Sequence, residues 1–267
     1  MDGIHHEEAA VLGAKREGAR AGAVAASAGH GTPRGADDAQ RVVDIVSVND
    51  LSYQPMNYIA ERRQEEKEAR RRQIVDAAEE AMQDTPWEAL TIDQVARRAR
   101  LSRALVYVYF KDKFDLHCAI AERALKLLGE RFEQAAMRPG SGIDKVESLG
   151  RSYVAFAHEF PHYFSALARF EAHEFTEVPH ESNEEACMAA GQAVHEIMVR
   201  CIEAGVADGS IRADLGNPYL TSVTLWGFMH GIIQIGQTKA NMLAKDGIST
   251  QALVAHALKM AMLGMTP

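Results

Sequence analysis

Apolar residues recur at three- and four-residue spacing from about residue 56 to the C-terminus, and this spacing lines one face of a helix. Residues 1–55 show no such recurrence. Glu61 to Arg72 supports a helical start through Glu and Arg at i,i+4 spacing, and Ile74, Ala77, Ala78 and Met82 continue it with an apolar stripe that ends at Asp84-Thr85-Pro86. Trp87 and Leu90 are expected to plug a small core. Ile92, Val95, Ala96 and Ala99 mark a second helix, and Val106 and Phe110 the inward side of a short third. Phe114, Leu116, Ile120, Leu127, Leu128 and Phe132 predict a long helix from Asp112 to about Met137, followed by another from Ile143 to Phe160. Pro161 starts the next, which holds Tyr163, Phe164, Leu167 and Phe170, and a loop spans Glu174 to Ser182. Asn183 to Asp208 and Pro218 to about Ala240 are long helices, and Ile248 to Met262 is the last. Gly227, Gly231 and Gly236 lie inside the most apolar of these, each at about 1 kcal/mol relative to Ala. Another backbone is therefore expected to approach that helix closely. With no alternating pattern, the predicted fold is all-α.

The stretch Thr91 to Lys113 carries the densest local signals. Thr91 with Gln94 forms a capping box, Arg100-Leu101 makes a tight turn, and Ser102 is the N-cap of the next segment. Asp112 caps the helix after that. Helix, short turn, helix is the plan in which the second helix enters a DNA major groove and its first residues reach base edges. Those residues are Arg103, Ala104 and Leu105, with Tyr107, Tyr109, Lys111 and Lys113 where phosphate contacts are needed. A helical hairpin with a solvated basic face is the competing reading, and the same choice applies to Arg70, Arg71 and Arg72.

Between Arg72 and Leu116 the wording becomes specific. IVDAAEEAM, the aromatic Trp87, LTIDQVARRA and LSRALVYVYFKDKFDL together resemble the DNA-binding head of the TetR/AcrR family of bacterial transcriptional regulators. The closing Tyr-x-Tyr-Phe-Lys-x-Lys run, Tyr107 to Lys113, is its most specific part. Arg100 stands where the family usually has Gly, so a left-handed residue at a cost of about 1 kcal/mol is expected there. Ala104, Leu105 and Val108 also depart from the usual residues, which bears on the operator sequence. The resemblance implies a three-helix helix-turn-helix head followed by a helical-bundle body for ligand binding and dimerisation. The expected boundaries are 1–55 for a disordered or low-complexity arm, 56–116 for the head and 117–267 for the body. It further implies that the last two long helices pair with their copies in a homodimer.

Composition adjusts this only slightly. The chain has 267 residues, 47% hydrophobic, with net charge −8. An acidic total does not exclude DNA binding, which depends on a local basic surface. No run is long and apolar enough to span a membrane, the start lacks the order of a secretory signal, and a cytoplasmic location is expected. Met56 opens a family-like start, so the first 55 residues can also be read as an upstream mis-start. The Val42–Val46 run within them is a candidate docking segment. Cys118, Cys187 and Cys201 show no paired motif and read as buried free thiols. His5-His6 reads as exposed histidines rather than a metal site. Glu159 to His162 and Glu177 to His180 share the Glu-x-x-His spacing of di-iron bundles, but Pro161 and Pro179 interrupt both. Neither a cofactor nor a metal nor a catalytic motif is expected, and the chain is not expected to be an enzyme. For a small apolar or aromatic effector, the candidate pocket is Phe156, Phe160, Phe164, Phe170, His173, Trp226, Met229 and His230. Core packing is the alternative for these, as for His158 and His195. The function read from all this is a ligand-released repressor that binds a palindromic DNA operator as a homodimer. The rivals are a helical small-molecule-binding protein or enzyme with a degenerate head, and a protein-interaction adaptor.

Overall fold

The computed structural model describes residues 54–174 and 178–267, and the regular elements among them are all helical. The expected arm, with His5, His6 and the Val42–Val46 run, lies outside the described residues except for Gln54 and Pro55, which already belong to the first helix. Glu177 of the second Glu-x-x-His spacing also lies outside them.

Helix α1 (Gln54–Asp84) is amphipathic only in its second half. From Ile74 onward it buries Ile74, Val75, Ala77, Ala78 and Ala81, whereas Tyr58 to Lys67 is exposed and carries an Arg62–Glu66 pair at 3.1 Å. Helices α2 (Ile92–Arg98) and α3 (Arg103–Tyr109) cross it to close a small core with Trp87, Leu90, Val95, Val106 and Phe110.

Helix α4 (Lys113–Ala136), capped by Asp112, leaves this head and runs into the body. Leu116 to Ala121 is buried on every side, as expected of a helix surrounded by others. The expected division at 116/117 therefore falls inside one continuous helix. Around α4 pack α5 (Gly142–Glu159), α6 (Pro161–Glu171) and α7 (Asn183–Asp208). Leu116, Ile120, Leu128, Leu149 and Leu167 are essentially inaccessible, each contributing about 1.5–3 kcal/mol by burial. A short 3-10 turn (Ala213–Leu215), α8 (Pro218–Thr238), α9 (Ala240–Lys245) and α10 (Thr250–Met265) complete the chain. The six-residue α9 had no counterpart in the sequence reading.

Two glycines decide how α5 meets α7. A Cβ on Gly142 would lie 2.1 Å from the backbone of Gly205, so the two main chains touch where a side chain cannot fit. The contact brings the end of α7 over the start of α5. There Asp208 accepts from Gly142 N at 2.7 Å and Ser210 from Ile143 N at 3.1 Å, which satisfies donors that a helix start leaves unpaired.

Within this chain the three glycines of α8 differ in what approaches them. A Cβ at Gly236 would meet Thr250 Cγ2 at 2.7 Å, whereas Gly227 and Gly231 have nothing of this chain within 4 Å. Those two face outward from the single subunit.

Candidate nucleic-acid interface and body cavity

The helix-turn-helix is held by its own backbone and caps. Gln94 N donates to Thr91 Oγ1 at 3.3 Å, and Thr91 N to Gln94 Oε1 at 2.7 Å. Arg100 adopts φ 57°, the left-handed turn conformation, and Leu101 N reaches back to Ala96 O at 2.9 Å. Leu105 N donates to Ser102 Oγ at 3.1 Å and starts α3. Val106 and Phe110 anchor that helix in the core.

The opposite face of α3 meets solvent. Arg103, Ala104, Tyr107 and Val108 are exposed, while Leu105 and Tyr109 are half-buried rather than free. Arg103 sits 3.3 Å from Asp93 and its Cζ lies 5.5 Å from the centre of the Tyr107 ring, within hydrogen-bond reach of the hydroxyl at 3.4 Å. The tyrosine hydroxyl and Asp93 hold the guanidinium pKa above its usual value.

Lys111 and Lys113 do not simply project outward with this face. Lys113 Nζ donates to Trp87 O at 2.5 Å and Glu88 O at 3.3 Å and lies 4.9 Å from the Trp87 ring centre. Desolvation lowers its pKa. Lys111 Nζ pairs with Glu184 of α7 at 2.9 Å. Of the three arginines ending the basic run, Arg71 also turns inward, donating to Asn183 and lying 5.6 Å from the Phe110 ring centre. Arg70 and Arg72 stay exposed.

These inward contacts join head to body. Asp115, buried, accepts from Lys111 N at 2.9 Å and from Asn183 Nδ2 at 2.8 Å. Arg123 of α4 bridges Asp76 and Glu79 of α1 at 2.6 and 2.8 Å, and Arg169 of α6 pairs with Glu88. The sequence reading missed Asp115, Asn183, Glu184, Arg169 and Glu88, because their partners across head and body lie 68 to 112 residues apart and no periodicity relates them. His117, fully buried, sits between Trp87 at 5.0 Å and Phe114 at 6.1 Å. Neither ring nitrogen makes a well-formed hydrogen bond, and the Ala166 carbonyl is a weak acceptor nearby. Burial lowers its pKa to about 4.

The body aromatics separate into two groups. Phe156, Phe160 and Tyr163 cluster together, with Arg131 Cζ 4.9 Å from the Phe160 ring centre. Tyr153, Phe164, Trp226 and His230 form the second group, in which Tyr153 lies 4.8 Å from Trp226 and its hydroxyl shares a 2.7 Å hydrogen bond with His230 Nδ1. A cavity of about 40 Å³ opens beside this second group. Of the eight candidate pocket residues, Trp226 and Met229 line it. His230 and Phe164 stand behind its wall, and Phe156 and Phe170 are packed in the core. Phe160 is half-buried and His173 is exposed, 4.0 Å from Phe114. Sequence reasoning did not single out Val146, Gly150, Tyr153, Met198, Ser222 or Met262, which do line it. His195 lines it as well, bonded through Nδ1 to Ser222 Oγ at 2.8 Å.

Cys118, Cys187 and Cys201 are buried free thiols, with burial pushing Cys118 up to about 12. Glu159 pairs with Arg131 at 2.5 Å. Among the described residues no cluster of three His, Cys, Asp or Glu could hold a metal, and no helix is long and apolar enough to cross a membrane.

Known proteins resemble this chain in both parts. The family described as "Bacterial regulatory proteins, tetR family" matches residues 74–120, and that described as "Tetracyclin repressor-like, C-terminal domain" matches residues 146–260. The HTH-type transcriptional regulator HbdR of Aromatoleum sp. (strain CIB) is 37% identical over 90 residues, which are 33% of this chain and 38% of that protein's length. Among solved structures, a protein of unknown function from Rhodococcus sp. RHA1 aligns with TM-score 0.59 at 23% identity, covering 74% of this chain and 96% of that one. A TetR/AcrR family transcriptional regulator from Thermobifida fusca YX-ER1 aligns with TM-score 0.56 at 23% identity, covering 73% and 97%. With one family match in the head, a second in the body and the same fold in these structures, the chain belongs to the TetR family of bacterial transcriptional regulators.

Proposed function

We propose that this transcriptional regulator is a ligand-released repressor that binds a roughly palindromic operator as a homodimer. The observation that carries the reading is α3, pinned by Val106 and Phe110, with Arg103, Ala104 and Tyr107 turned to solvent. Arg103 and Ala104 reach base edges, with Leu105 packed at their margin. Thr91, Ser102, Tyr107 and Tyr109 meet backbone phosphates through hydroxyls. Lys111 and Lys113 act by positioning, since their ammonium groups already hold Glu184 and the turn at Trp87. Residues 56–116 serve as head and 117–267 as body.

The homodimer reading rests on the outer faces of α8 and α10. Leu220, Val223, Phe228 and Ile235 on one, and Met260 and Leu263 on the other, are exposed in the single subunit. Gly227, Gly231 and Gly264 leave room beside them for a second backbone. An apolar surface of this kind marks an interaction face. Two-fold pairing predicts half-sites separated by about one helical turn or more.

An effector bound in the body releases the DNA if it favours the non-binding arrangement of the heads, with a coupling of about 1–3 kcal/mol. Trp226 on the cavity wall makes it the ligand residue to test. A Trp226→Ala variant that responds to inducer as wild type does would remove it from the site. Operator binding by the full chain should weaken steeply with added salt, as phosphate contacts release counterions. Binding insensitive to salt, or none to any inverted repeat beside the gene, would favour a helical ligand-binding protein with a degenerate head.

A further inference from the structure

We propose that the body cavity is a site for an electroneutral apolar ligand, a small ring or short alkyl chain with one hydrogen-bonding group, and that it rejects carboxylates. The inference deepens the reading of the body as the effector domain and rests on it. Five helices supply the walls, with Phe132 from α4, Val146 from α5, Val194 from α7, Leu225 from α8 and Met262 from α10. No lysine or arginine lines the cavity.

The polar groups at its edge are neutral and already paired. His195 is bonded to Ser222 and Tyr153 to His230. Burial lowers the pKa of both histidines and pushes that of Tyr153 well above its usual value, so all three stay uncharged at neutral pH. The charged group bonded to a wall side chain is an acid: Glu171 accepts from the Trp226 side chain, and burial raises its carboxyl pKa. Lys145 of α5 and Lys259 of α10 lie outside the lining, and the nearby arginines are engaged elsewhere. Arg131 pairs with Glu159, Arg200 with Glu133, and Arg169 with Glu88. An ionised carboxylate would thus be buried without a counter-charge, at a cost of several kcal/mol, whereas an alcohol or amide keeps its hydrogen bond and meets no such penalty.

Size narrows the class further. A volume of about 40 Å³ is well below the roughly 150 Å³ of a cavity that takes benzene, so a ligand must make its own room. Met198, Met229 and Met262 on the walls are unbranched and adaptable, which suits a site that opens on binding. The α8 and α10 side of the cavity backs onto the exposed apolar face, so opening it displaces the helices read as the dimer contact.

Matched pairs of probes test the charge rule on the full chain at neutral pH, using benzyl alcohol against benzoate and 1-hexanol against hexanoate. The readouts are melting temperature and Trp226 emission in a Trp87→Phe background. The neutral member of each pair should shift both saturably, with an apparent affinity at least about tenfold tighter than its carboxylate. Ala261→Phe should fill the cavity and abolish the neutral response. Met198→Lys should reverse the preference within each pair, and either variant serves if the other fails to fold. Equal or tighter carboxylate binding, or no saturable response to any probe, overturns the proposal. Operator binding in the same samples separates the two readings. A neutral probe that fills the cavity without weakening operator binding upholds the charge rule and defeats ligand release. A carboxylate that fills it and releases the operator does the reverse.

Discussion

The head and the body of this regulator carry their proposed sites on opposite sides of their cores. In the head the core supports: Val106 and Phe110 hold α3 by burial and leave Arg103 and Tyr107, the proposed DNA contacts, on the surface. In the body the proposed effector site lies inside, in the cavity lined by Trp226, His195 and Ser222, while the outside of α8 and α10 is apolar. Both are helical and both follow the same period. What separates them is the location of the polar groups and the chain distance between partners. Caps and turn contacts in the head link residues three to five apart, whereas Tyr153 and His230 of the body are 77 apart. A surface site can therefore be written locally, and an interior one cannot.

The largest expected effect tests whether the head core is only a support. Phe110→Ala should destabilise the head by about 3–5 kcal/mol, seen as an early thermal transition and as lost operator binding. If DNA binding survives while the head transition moves that far, the core is not what positions α3.

Next comes the join between the two regions. His117 is neutral in the folded chain, with a pKa of about 4, and titrates near 6.5 when unfolded. Its contribution is fully present above about pH 6.5 and is lost as pH falls toward 4, because the unfolded state then binds the extra proton. The shift corresponds to about 3 kcal/mol by pH 4. His117→Leu should flatten the stability slope between these limits, and an unchanged slope would place the acid sensitivity elsewhere.

Phe228→Glu puts like charges opposite each other in the expected two-fold contact. It should yield monomers by sedimentation and weaken operator binding about a hundredfold, with the single-subunit fold intact by circular dichroism. A stable dimer in this variant would move the interface off α8. Arg103→Ala should cost roughly ten- to a hundredfold on the preferred operator and relax the base preference at one position. A uniform loss over all sequences would instead make Arg103 a phosphate contact.

The smallest effect is a gain. Arg100→Gly removes a side chain from a left-handed position at φ 57° and should stabilise the head by about 1 kcal/mol, read as a rise in melting temperature. No gain would show that the Arg100 side chain compensates for its own strain.

Much of the head was legible in the primary structure. Thr91, Gln94, Ser102 and Asp112 act through atoms a few bonds away, so their roles as caps follow from residue type and spacing. Helix period and proline placement likewise located the long body helices, including both ends of Asn183–Asp208. Lys113 marks where local reading stopped. Its charge and family position suggested a phosphate ligand, but its side-chain partners are carbonyls of Trp87 and Glu88, brought to it by the folding of the head. The aromatic residues of the body met the same barrier, since Phe156, Trp226 and His230 share a pattern but not a destination. Periodicity tells a helix which face to bury without naming the neighbour that covers it. Capping and turn chemistry act within one stretch of chain, whereas the Lys111–Glu184 pair, the Gly142–Gly205 crossing and the Tyr153–His230 bond arise only when distant helices meet.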